Sequence, residues 1–167
     1  MPYFEVTPTV DLSVRKLCDN PYPLHKKGCP NYGKKDGCPP QCPVIEDVLD
    51  FSQTIYVVWN VFSIGEHAAR MLELHPHWSD RQCYCCLYWQ PKARKQLKTE
   101  IVQALRGIAS TSALKVVPNP EGAGVNVTAT MESVGVQLEW PPKELACQVA
   151  LIGSPKKKCS ESLPNPI

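Results

Sequence analysis

The sequence predicts an α+β fold. It reads as one domain with a mixed sheet of about four strands, roughly three or four helices and an N-terminal loop rich in cysteine and proline. Three stretches carry that expectation. Thr54–Phe62, TIYVVWNVF, is dense in β-branched and aromatic residues and apolar on both faces, as a central strand must be. Pro91 to about Ile108 sets Ala93, Leu97, Ile101, Ala104, Leu105 and Ile108 on one stripe at helical spacing. Cys18–Cys42 has almost nothing apolar to bury, and its prolines deny it regular hydrogen bonding, so it belongs to neither kind of element.

Taken in order, residues 1–14 are an extended lead-in with Val/Thr alternation, suited to an edge strand. The cysteine loop, 18–42, follows. Pro43 can open a short helix to about Phe51, with Ile45, Val48 and Leu49 on one face and Cys42 at its N-cap. After the central strand, a helix over Glu66–Leu74 stops at His75-Pro76. Cys83, Cys85 and Cys86 precede the long helix, whose opposite face carries Lys92, Lys95 and Arg106 and reads as solvated surface. Leu114–Val117 is a short strand. Asn126 can cap a helix over Val127–Val134 that Gly135 ends. Val136, Leu138 and Trp140 alternate with polar residues as a strand, and Leu145–Ile152 is the last apolar strand. The domain spans 1–153, and 154–167 (SPKKKCSESLPNPI) reads as a disordered tail.

The chain has 167 residues, enough for a real core, and a net charge of +2 that says little about partners. The distribution of charge says more: Arg15–Cys42 carries six basic and two acidic residues. Nine cysteines cannot close into a complete set of disulfides. The first residues, MPYFEVTPTVDLSVRK, lack an apolar signal region, and no apolar run is long enough to span a bilayer. The expectation is a cytoplasmic protein with no membrane contact, in which clustered thiols bind metal or do chemistry.

Within the loop, Gly-Cys-Pro occurs at 28–30 and again at 37–39, and Cys42-Pro43 follows. Proline fixes the backbone beside a thiolate, and glycine lets the chain turn close to a bound ion. The gaps between Cys18, Cys29, Cys38 and Cys42 are ten, eight and three residues. Only Cys38 and Cys42 fit a zinc knuckle, whereas iron–sulfur ligand runs commonly end in Cys-Pro. These four are therefore candidate ligands of an iron–sulfur cluster, [4Fe-4S] in the first instance, with zinc as the alternative. An N-cap position would favour the Cys42 thiolate, as a fourth ligand or as a free nucleophile. Cys83, Cys85 and Cys86 are a second candidate metal set. They could complete the loop's site, hold another cluster, act as a redox pair, or simply pack beside Tyr88 and Trp89. Cys147 reads as a buried small hydrophobe, and Cys159 lies in the tail. His25, and His75 with His77, are weaker candidates.

Cys18 and GCPNYGKKDGCPP, taken with EGAGVNVTATMESVGVQLE further on, resemble a family of small bacterial and archaeal proteins. That family is described as predicted metal-binding, cysteine-rich and iron–sulfur, with no assigned activity. The resemblance implies Cys18, Cys29 and Cys38 as ligands. Its members carry a Cys-x-x-Cys-x-x-Cys run where this chain has Cys83-x-Cys85-Cys86, so it does not extend to a ferredoxin-type second cluster.

Three function classes follow. An iron–sulfur protein would transfer electrons if four thiolates close the cluster. With an open iron it would act as an enzyme of sulfur transfer, desulfuration or Lewis-acid type on a small molecule. A zinc-stabilised module could bind nucleic acid through the basic loop with Tyr22 and Tyr32. A thiol redox protein would use Cys83, Cys85 and Cys86, but no Cys-x-x-Cys precedes a helix. The substrate or redox partner is not written in the sequence.

Overall fold

The computed structural model describes residues 3–21, 26–29, 31–109 and 113–157. Four strands, β1 (Tyr3–Val6), β2 (Ile55–Ser63), β3 (Lys115–Val117) and β4 (Leu145–Gly153), form one sheet in the order β1-β2-β4-β3. Five helices accompany it: α1 (Ile45–Val48), α2 (Ile64–Leu74), α3 (Asp80–Cys83), α4 (Cys86–Gly107) and α5 (Val127–Ser133). Two 3₁₀ segments, Leu12–Cys18 and Pro120–Ala123, complete the described elements. The α+β domain is as the sequence predicts. The sheet is not mixed, however: every adjacent pair is antiparallel. β2 and β3 run in the same direction, and β4 enters between them as the partner of both.

β2 pairs with β4 along its whole length, from Ile55 opposite Gly153 to Ser63 opposite Leu145. Alternate residues of these two strands point to opposite faces, and both faces are covered. On one, Val58, Ala150 and Ile152 pack under Leu97, Ile101 and Ala104 of α4. On the other, Val57, Val149 and Leu151 pack against Ile45, Leu49, Val125 and Met131. This double burial is why Thr54–Phe62 is apolar at most positions on both faces. Asn60, buried in β2, finds its partners in α4: its Nδ2 donates to the Ala93 carbonyl (3.1 Å) and to Gln96 Oε1 (3.2 Å).

The Asn126 cap is present, its side chain accepting from the Ala129 N–H at 3.0 Å. Asn126→Ala should lower stability by about 1 kcal/mol, read as a shift in the urea midpoint without a change in slope. An unshifted midpoint would mean that the cap contributes nothing.

Four expectations change. α4 starts at Cys86 rather than Pro91, so Pro91 lies inside the helix, near its start. There its missing N–H leaves the Leu87 carbonyl without the usual helical donor. Residues 136–140 form no strand, although Val136 and Leu138 pack on the core. Their alternation is real, but it serves packing on the core and not pairing in the sheet. α1 is a single turn capped by Val44, so Cys42 lies two residues before the cap and not at it. Residues 154–156, expected in the tail, are tied down. Asp50 N–H donates to the Ser154 carbonyl (2.9 Å), and Lys156 N–H donates to the Val48 carbonyl (3.0 Å). The rest of that tail from 158 on, Cys159 included, lies outside the described residues, as do Tyr22 and His25.

Candidate functional site

The cysteine loop is built outward from the first 3₁₀ segment. Asp11 starts that segment by accepting from the N–H and hydroxyl of Ser13 (2.9 and 2.6 Å), which hold its carboxyl below the ordinary range. The segment ends at Cys18, whose carbonyl accepts from the Cys29 N–H at 2.7 Å. Gly28 makes this closure possible. Its φ is +72°, and a Cβ there would lie 2.7 Å from the Asp19 carbonyl oxygen. Beyond Cys29, Gly33 N–H donates to the Pro39 carbonyl (2.9 Å), Gln41 Nε2 donates to the Gly33 carbonyl (2.8 Å), and Cys42 N–H donates to the Cys38 carbonyl (3.0 Å). The loop is thus cross-linked by its own backbone.

It is also seated on the fold. Arg15 reaches back from the 3₁₀ segment and donates to the Cys42 carbonyl (2.6 Å) and the Pro40 carbonyl (3.2 Å). The Cys42 thiol is buried and donates to the Gly122 carbonyl at 2.8 Å. A Cβ at Gly122 would sit 3.5–3.7 Å from Pro39, Gly37 and Cys42, so the loop and the Pro120–Ala123 turn lie in contact there. The sequence leaves the loop to be fixed by a metal or cluster, by disulfides, or to remain a flexible arm. In the structure these hydrogen bonds hold it, and Arg15 and Gly122 are the residues that sequence reasoning missed. One signal was present: Gly122 belongs to the EGAG stretch that carries the second half of the family resemblance.

Cys18, Cys29 and Cys38 are half-buried, and none is in a disulfide. Burial pushes the Cys18 thiol up, and the charges of Cys29, Glu121, Cys38 and Cys42 add to the effect. Burial likewise raises Cys38, followed by Cys29 and Cys42, with Lys35 opposing. The loop therefore brings these thiols into one another's electrostatic range. Among the described residues, though, no group of three or more His, Cys, Asp or Glu side chains stands in position to hold a metal ion. The donor chemistry fits a soft metal or cluster; the sulfur atoms as placed do not yet enclose one.

The second cysteine group divides. Cys83 is buried at the end of α3. Cys85 is the N-cap of α4 and Cys86 its first residue, both half-buried. Burial raises the Cys86 thiol, with Cys85 and, more weakly, Cys29 acting in the same direction. Cys147, expected as a buried small hydrophobe, is half-buried in β4 opposite Val61. His75 stacks on Trp78 at 4.1 Å, and Trp78 stacks on Tyr88 at 5.2 Å, which gives His75 a packing role. No helix among the described residues is long and apolar enough to cross a membrane. Comparison with family models, curated proteins and solved structures finds no match.

Proposed function

We propose that the protein binds an iron–sulfur cluster through Cys18, Cys29 and Cys38, with Cys42 as a structural thiol and not a ligand. One observation carries the reading: three half-buried thiols share one cross-linked loop and one electrostatic field, while the fourth is occupied by the Gly122 carbonyl. Without a cation, burial and mutual repulsion keep Cys18 and Cys38 protonated. A bound cluster would reverse that balance, releasing protons and drawing the sulfur atoms together. The two stretches that resemble metal-binding proteins meet where Gly37 and Pro39 approach Gly122, which supports the same assignment. When bound, such a cluster supplies electron transfer, or Lewis acidity and sulfur acceptance at an iron that no thiolate covers. A redox partner or a small molecule is the corresponding partner, in the cytoplasm.

Protein purified without oxygen should be brown and contain iron with acid-labile sulfide. Cys18→Ser, Cys29→Ser and Cys38→Ser should each lose most of both, and Cys42→Ser should keep them. Stoichiometric zinc without sulfide would overturn the cluster and favour a zinc-stabilised module. Equal loss in Cys42→Ser would make Cys42 a ligand.

A further inference from the structure

α4 buries Trp89, Ala93, Leu97, Ile101 and Ala104 on one side. On the other, Tyr88, Lys92, Lys95, Thr99, Val102 and Arg106 follow one another at alternating steps of four and three residues. That spacing lines them up as one narrow stripe along the helix, and all six are exposed. From Tyr88 to Arg106 the stripe is roughly 27 Å long, at 1.5 Å per residue. Glu100, the one acidic residue of α4, lies off it.

A stack of rings stands at the head of this stripe. α2 ends at Leu74, and His75-Pro76-His77-Trp78 makes a turn in which the Trp78 N–H donates to the His75 carbonyl (2.9 Å). Proline suits the second place of such a turn. The turn sets the His75 and Trp78 rings face to face, 4.1 Å apart and 14° from parallel. Tyr88 stacks on Trp78 at 5.2 Å and 27°. His75 and Tyr88 are both exposed, so the stack offers ring surface to solvent. Glu73 and Asp80, on either side of the turn, are matched in number by Arg70 and Arg81.

We propose that this face binds single-stranded nucleic acid, with bases stacking on the rings of His75, Trp78 and Tyr88 and phosphates following Lys92, Lys95 and Arg106 along α4. Charge complementarity selects the partner. A row of cations with no carboxylate among them fits a polyanion, and exposed rings at its head fit one that also carries flat, unpaired bases. A duplex keeps its bases stacked on one another and has none to give to the rings. Neither the cations nor the rings read base edges, so binding should tolerate any sequence. None of Cys18, Cys29 and Cys38 belongs to this face, so binding here does not require the cluster.

Fluorescence anisotropy of labelled oligo(dT) and oligo(rU), beside the duplex of oligo(dT) with oligo(dA), tests this, with circular dichroism as a folding control. Wild type should bind both single strands more tightly than the duplex. Its affinity should fall with salt at a log–log slope of about −2, because each of the three contacted phosphates contributes roughly −0.7. Replacing both Lys92→Gln and Lys95→Gln should flatten the slope to roughly −0.7. Tyr88→Ala should weaken binding about tenfold, the size of one lost base stack, without changing the slope, and Tyr88→Phe should bind as wild type does. His75→Ala, at the other exposed ring, should weaken binding in the same way and serves if Tyr88→Ala fails to fold. A wild type that binds neither single strand, or folded ring variants that bind as tightly as wild type, would overturn the proposal. Duplex bound as tightly as single strand would overturn it as well, by showing a surface that answers to charge alone.

Discussion

If the cysteine loop binds the proposed cluster, Gly28→Ala is expected to empty it while leaving the core folded. At φ +72° any L-residue with a side chain is disfavoured, by about 1–2 kcal/mol. The added Cβ would also lie 2.7 Å from the Asp19 carbonyl oxygen and 3.0 Å from that of Cys18. These are backbone atoms, so no side-chain rotation relieves the contact. Relief requires parting Cys29 from Cys18, whose backbones are joined by a 2.7 Å hydrogen bond at the same point. Iron and sulfide content should therefore fall as far as in Cys29→Ser. The urea transition of the sheet should stay close to wild type. Gly37→Ala is the control, because a Cβ there meets nothing within 4 Å and the backbone is not left-handed. Normal loading of Gly28→Ala would show that the Cys18–Cys29 closure does not matter to the site.

Leu151→Ala should be the most damaging single change to the sheet. Leu151 is fully buried in β4 between Val57 and Val117, within the cluster that also holds Ile45, Leu49 and Met131. Truncating it removes buried methyl groups and leaves a cavity that a strand paired on both sides cannot close. The expected cost is about 2–5 kcal/mol, a large share of the roughly 5–15 kcal/mol by which such domains are stable. Leu145→Ala, at the half-exposed start of the same strand, should change stability by no more than about 0.5 kcal/mol. Similar urea midpoints for the two variants would contradict the double-sided burial of β4.

Sequence pattern reached this fold wherever a local signal and tertiary burial agree. Val57 and Val58 announce a strand covered on both faces, and Leu97 and Ile101 mark the face of α4 that meets it. Asn126 announces its cap because the bond spans only three residues. Pattern failed where partners decide. Val136 and Leu138 alternate like a strand, yet they pack on the core without joining the sheet. Pro91 looked like a first helical residue, whereas the helix already begins at Cys86. The site divides in the same way. Repeated Gly-Cys-Pro marks the loop and its thiols, because those signals are adjacent in the chain. The bond from Cys42 to Gly122 joins residues 80 positions apart, and no spacing rule contains it.

β4 comes last among the described strands and first in importance to the sheet. Until residues 145–153 leave the ribosome, β2 lacks a partner on one edge and β3 lacks any partner. The sheet is therefore closed by a single late, long-range insertion, the kind of step that slows folding and leaves strand edges open to other chains. The Pro120–Ala123 turn touches that same strand, so the cysteine loop loses its seat along with it. Until β4 arrives, the turn that accepts the Cys42 thiol at Gly122 lacks the strand behind it.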